Sequence, residues 1–311
     1  MLKKNSNERI DAEELLSYLE TNFREGDVTK SSIDITGQSI NLFHVIELPR
    51  NCGFGRMVLF NNDSKLLIAD KKNHSLHILH VFEKEKTIER AIISGCSLKE
   101  PKALIVDEEY IYVADWGYKQ ILIFESNFKL KRRIGEEIKR SNYLSVNRHK
   151  SENKVLFISH TRDNEISLWD ILDGSFLKKV DIEAPRDLKF RDDNLFILSK
   201  NGIILMNKNT LLVRNQIELN DICLPQALHL SQTSAYLIGY SIDRNKVKSD
   251  KFHLFTFLNS DLDKQPMKIE LRREISFFTD VVYFQNSLLF YAVIFKIIIK
   301  MKKKKQTKSH S

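Results

Sequence analysis

Proline and glycine are both scarce in this chain, at 5 and 10 of 311 residues. So little proline argues against long linkers between domains, and so little glycine is low for a fold that needs many tight turns. Cysteine is rarer still: Cys52, Cys96 and Cys223 lie far apart. With no CxxC pair, neither a zinc module nor a disulfide framework is indicated, and three small side chains in a reducing compartment are expected. No apolar core follows Met1, Leu2, Lys3 and Lys4, which excludes an ordinary secretory signal. Acid is missing from the other end. Residues 296–311 carry seven lysines and no Asp or Glu, and they account for most of the net charge of +8. The rest of the chain sets 42 basic against 41 acidic residues, so global charge gives little reason to expect nucleic acid. With 42% hydrophobic residues, a large core can still be buried.

What is present is a repeat. An apolar run closed by a small and then a polar residue reads Leu67-Ile68-Ala69-Asp70, Tyr112-Val113-Ala114-Asp115 and Phe157-Ile158-Ser159-His160. Weaker copies end at Lys200 and Tyr240, giving spacings of 45, 45, 40 and 40. A second pattern precedes these, beginning at Pro101, Pro185 and Pro225, with degenerate copies near Phe54, Ser141 and Phe278. Proline suits the first residue of a strand, where its missing N–H costs no ladder bond. Turn residues such as Asp107-Glu108-Glu109 separate the patterns, and two further short runs follow each. Runs of five or six alternating β-branched and aromatic residues are strand length. Each unit therefore reads as four short strands, and a four-stranded unit of 40–50 residues is a propeller blade. One blade cannot hide both its faces, so blades must pack side by side and close a ring.

Three units share a finer register, with Asp70, Asp115 and His160 each six residues before Leu76, Ile121 and Ile166. A short acidic side chain there accepts turn N–H groups, and Asn or Gly nearby is expected to supply positive φ. The run Asn73-His74-Ser75-Leu76, and the unit from Pro101 to Gly135, resemble the NHL repeat over about residues 54–183. That resemblance implies a six-bladed β-propeller, in agreement with six starts at 54, 101, 141, 185, 225 and 278. The unit Ile166-Ser167-Leu168-Trp169-Asp170 with Asp173-Gly174 is also similar to a WD40 repeat, although no Gly-His pair lies upstream.

The expected organisation is an N-terminal helical segment (1–32), a propeller (33–299) and a disordered lysine-rich tail (300–311). The apolar stripe Ala12, Leu15, Leu16, Leu19 and Phe23 marks the helix. The segment 39–48 is expected to complete the last blade, which otherwise has room for three strands. Residues 288–299 are apolar but too short and too interrupted by Lys296 to span a bilayer.

No catalytic constellation, cofactor motif or metal set stands out. His77 and His80 are an odd number apart on a strand and point to opposite faces, which removes them as a ligand pair. Cys52-Gly53-Phe54-Gly55 lacks the setting of a phosphate loop and reads as the lead-in to the first blade. The turns after the second strands instead offer a binding face: Lys71, Lys72, His74, Trp116, Tyr118, Lys119 and Arg162, with Lys139 and Arg140 between blades. Aromatics beside cations suit protein hot spots and single-stranded RNA alike. The NHL resemblance implies a non-catalytic module that binds a protein, as substrate-recognition part of a ubiquitin-ligase-type assembly. Its alternatives are RNA and, more remotely, the chemistry of zinc-dependent amidating lyases. No RING or B-box pattern occurs in the chain. A cytoplasmic location is expected, with the nucleus reachable through Lys302–Lys305.

Overall fold

The computed structural model describes residues 33–35, 38–47, 52–60, 65–80, 87–135, 138, 143–146 and 154–219, and the strands 224–230, 234–241, 251–258, 267–271, 278–284, 287–292 and 297–303. All regular structure among them is antiparallel β-sheet.

Four blades are complete and follow one another in sequence. The first runs Phe54–Phe60, Lys65–Asp70, Ser75–Leu79 and Ile88–Arg90. The second runs Pro101–Val106, Tyr110–Asp115, Gln120–Glu125 and Leu130–Ile134. The third runs Tyr143–Val146, Val155–His160, Glu165–Asp170 and Phe176–Asp181. The fourth runs Asp187–Arg191, Asn194–Ser199, Gly202–Asn207 and Val213–Glu218. In each, every strand pairs with the next, as in a meander.

The two middle strands of a blade are buried on both faces, which is why their sequences are almost continuously apolar. Alternate residues then serve opposite neighbours. Ile111, Val113, Leu122 and Phe124 pack against Leu67, Ala69 and Leu76 of the first blade. Tyr112, Ala114, Ile121 and Ile123 pack against Leu144, Leu156 and Ile158 of the third. The third and fourth blades meet through Phe157, Ile166 and Leu168 against Leu188, Leu195 and Ile197. Each such side chain, fully buried, contributes about 1.5–3 kcal/mol. The blade interfaces therefore hold the molecule together. The outermost strand of the third blade, Phe176–Asp181, is mostly exposed and carries lysines.

First strands line the inside. Phe54–Phe60, Pro101–Val106, Tyr143–Val146, Asp187–Arg191, Leu224–Leu230 and Phe278–Phe284 lie beside one another in that order, and the last lies beside the first. Gly55 permits the closest of these approaches, since a Cβ there would sit 2.5 Å from the Lys102 carbonyl oxygen. Of the three prolines expected to open strands, Pro101 does, Pro185 lies two residues before its strand and Pro225 is the second residue of its own. Both Pro101 and Pro225 sit at bulges, where no ladder bond needs their nitrogen.

Some expectations change. The sequence count gave six blades; four are described with their side chains. Beyond residue 219 lie one four-stranded sheet, 224–271, whose Leu228, Ala235 and Leu237 pack against Phe196 and Leu198, and a closing sheet of five strands rather than four. In the closing sheet Gln38–Glu47 pairs antiparallel with Ile297–Lys303, and Ile33–Ile35 adds an outer fifth strand. The segment 39–48 thus joins the last strand, as ring closure requires. That last strand ends at Lys303. The helix expected over 8–23 and residues 304–311 lie outside the described residues.

Candidate functional site

The turns after the second strands are built alike. Asp70 and Asp115 are fully buried carboxylates that organise the backbone around them. Asp115 Oδ1 accepts the N–H groups of Glu100, Gly117 and Tyr118, and its Oδ2 accepts that of Lys99 at 2.7 Å. One side chain thereby ties the turn to the segment leading into its own blade. His160 holds the same position in the third blade, where its Nε2 lies 2.7 Å from Ser167 Oγ, and Trp169 Nε1 donates to that same hydroxyl. Positive φ falls at His74, Lys119 and Asn164, each four residues after the anchor. The expectation of Asn or Gly there holds for Asn164 and is corrected in the first two turns, because the left-handed residue sits just before the third strand, where His74 and Lys119 fall.

Because the three turns share this geometry, they present equivalent residues on one face. Lys71, Lys72, His74, Tyr118, Lys119 and Arg162 are exposed there. Trp116 is half-buried, with Lys102 Nζ 5.4 Å above its ring. Tyr118 has Lys99 Nζ 5.8 Å from its ring and a hydroxyl 3.0 Å from Ser97 Oγ. Lys139 and Arg140 lie outside the described residues.

A second cluster, missed in the sequence, lies among the innermost strands. Arg56 Nη2 stands 3.0 Å from Asp187 Oδ2, joining the first blade to the fourth, and its guanidinium stacks 3.8 Å over the ring of Tyr143. Leu228 N–H donates to Asp187, and Lys189 Nζ is 3.6 Å from its other oxygen. Burial would raise the Asp187 carboxyl, but Lys189, Arg56 and these hydrogen bonds outweigh it and hold it below its ordinary value. Lys102 is pushed down to about 8, first by desolvation and then by Lys71 and Arg56. His229 is pushed down to about 3 by desolvation and by Lys189, against the pull of Asp187. The available signal was a charged residue inside apolar first strands, as in Gly55-Arg56-Met57 and Pro101-Lys102-Ala103.

A third group is Cys52, Asp70 and His77, whose donor atoms all lie within 4.8 Å of one another. His77 Nε2 is 3.2 Å from Asp70 Oδ2 and 3.2 Å from Ser75 Oγ. Asn73 Nδ2 donates to Asp70 Oδ2 at 2.8 Å and to Cys52 Sγ at 3.4 Å. Burial would raise the Asp70 carboxyl, yet the bonds from His77, Cys52, Gly53 and Asn73 together hold it well below the usual range. The expectation that no metal set exists thus meets a compact thiol, carboxylate and imidazole. The three residues lie 18 and 7 positions apart in the chain, and strand alternation separates His77 from His80, so no spacing in the sequence marks the group. His80, by contrast, pairs with Glu89 at 3.1 Å, away from His77, as the strand alternation required.

No family model matches this chain, and no curated protein matches it by sequence. Solved structures do. The chain resembles hydrazine synthase of Kuenenia stuttgartiensis with a TM-score of 0.60 at 9% identity, over 78% of this chain and 75% of that one. It resembles the WD40 domain of Neurospora crassa Pan2 with a TM-score of 0.58 at 9% identity, over 86% of this chain and 96% of that domain. The computationally designed protein Ika8 matches at 0.51 and 12% identity, over 79% and 70%. At such identities the likeness establishes the fold alone. The protein is an all-β propeller. Among the described residues no helix is long and apolar enough to cross a membrane.

Proposed function

We propose that the protein is a non-catalytic binding propeller of six NHL-like blades whose working face is formed by the turns after Asp70, Asp115 and His160. The two sheets beyond residue 219 and the pairing of Gln38–Glu47 with Ile297–Lys303 support the count. The observation that carries the function is the shared register of these turns, with the left-handed residue at the same place in each. Lys71, Tyr118, Lys119 and Arg162 are exposed in these turns, which belong to three consecutive blades, and this supports the reading. Trp116 and Tyr118, each beside a lysine, are the anchors. The partner we favour is a protein, with the module acting as substrate-recognition part of a ubiquitin-ligase-type assembly.

The test uses a partner recovered by proximity labelling and measured by titration. Replacing Trp116 and Tyr118 with alanine should weaken binding by about 2 kcal/mol or more. Replacing Lys71, Lys119 and Arg162 should change it less. The same variants are then titrated with single-stranded RNA. If RNA binds the wild type tightly and the three cationic substitutions flatten the salt dependence, nucleic acid is the ligand and the protein reading fails. Full binding by the quintuple alanine variant would show that the wrong face was chosen.

A further inference from the structure

We propose that Cys52, Asp70 and His77 form a zinc-class metal site at the rim of the first blade. In the second blade Asp115 spends both carboxylate oxygens on backbone N–H groups, from Lys99, Glu100, Gly117 and Tyr118. In the first blade Asp70 spends only Oδ1 that way, on Gly53, Lys72 and Asn73. Its Oδ2 faces side chains instead.

Strand register shows that the second blade does without those side chains, and that the third has only a hydroxyl, Ser167, at the place of His77. His77 pairs across from Ile68, and the matching residue opposite Val113 in the second blade is Leu122. Gly53 and Glu100 donate to their anchors in the same way and accept from Lys71 and Trp116 in the same way. Cys52 therefore corresponds to Lys99. Where the second blade has Lys99 and Leu122, the first has a buried thiol and an imidazole converging on one carboxylate oxygen.

The donor set selects the metal. Thiolate with imidazole and carboxylate suits Zn²⁺, which takes four ligands in a tetrahedron. With Zn–N and Zn–O bonds of about 2.0–2.1 Å, the 3.2 Å between His77 Nε2 and Asp70 Oδ2 corresponds to an angle of roughly 100° at the metal, close to tetrahedral. Binding takes His77 with its single proton on Nδ1, so that Nε2 is free to ligate, and releases the Cys52 thiol proton to solvent. Asn73 then serves both anionic ligands, since its amide already donates to Asp70 Oδ2 and Cys52 Sγ. Three protein ligands leave a fourth position for water.

The test is metal titration of the full chain. One equivalent of Zn²⁺ should bind with release of protons, and Co²⁺ in its place should give intense tetrahedral d–d bands and a sulfur-to-cobalt charge-transfer band. Cys52→Ser should abolish the charge-transfer band, and both Cys52→Ser and His77→Gln should lower Zn²⁺ affinity at least tenfold. Cys96→Ser, whose thiol lies outside the cluster, should change neither. Each variant's β-sheet circular dichroism must match the wild type. Should Cys52→Ser fail to fold, protection of Cys52 from alkylation by Zn²⁺ in the wild type, lost in His77→Gln, reads the same site. The proposal is overturned if the wild type binds no stoichiometric metal, if the cobalt spectrum is weak and octahedral, or if the charge-transfer band survives Cys52→Ser.

Discussion

Asp115 shows how much structure one side chain can carry. Its carboxylate is buried and is the acceptor for four backbone N–H groups from two separate stretches of chain. Removing it leaves those donors without their partner, and each unsatisfied buried group costs on the order of 1–3 kcal/mol. Asp115→Ala should therefore destabilise the protein by about 3 kcal/mol, read as a shift in a urea unfolding curve. A loss below about 1 kcal/mol would mean that water replaces the carboxylate. His160 holds the same place without a carboxylate, through Ser167 and Trp169. The position needs a buried polar anchor, and aspartate is one way to supply it.

The turn is the element that repeats most faithfully. His74, Lys119 and Asn164 adopt φ of 53°, 55° and 55°, a region in which Asn and His are enriched and Lys is not. The second turn thus holds a disfavoured residue in a left-handed conformation. Lys119→Gly relieves it, and the relief exceeds the added freedom of the unfolded chain, for a gain of about 0.5–1 kcal/mol. Lys119 contributes its carbonyl to Ile138 N–H, a bond glycine keeps. The gain should appear as a higher melting temperature, and a lower one would show that the lysine side chain holds the turn. The same substitution removes one cation from the proposed binding face, so stability and affinity should move in opposite directions.

At the scale of the whole molecule, stability depends on closing the ring. The closing sheet takes Gln38–Glu47 from one end of the chain and Ile297–Lys303 from the other. Deleting residues 1–48 leaves the last strand with a bare edge and opens the circuit of blade interfaces. Thermal unfolding of the truncated chain should begin well below that of the full chain, with concentration-dependent association. An unchanged midpoint would mean that each blade is stabilised by its immediate neighbours alone. Inside the ring, Arg56 and Asp187 add a bond between the first and fourth blades. They are far apart in the chain, and the ring brings them within reach of each other.

The sequence by itself determined the blades. Strand length, alternation, turn residues and a spacing of 40–45 are local properties, and they placed strand starts at 54 and 101 and the anchors at Asp70 and Asp115. It also foresaw the union of the two ends, because an unpaired edge has to be covered. The tertiary structure alone decided which residues meet. The axial cluster joins a guanidinium, an aromatic ring, a carboxylate with its lysine and a backbone N–H from four first strands, and the thiol, carboxylate and imidazole of the first blade come from the lead-in and two strands. Such groupings follow from blade packing and strand register. No residue type announces them, since a buried arginine and an exposed one are the same letter until the ring closes.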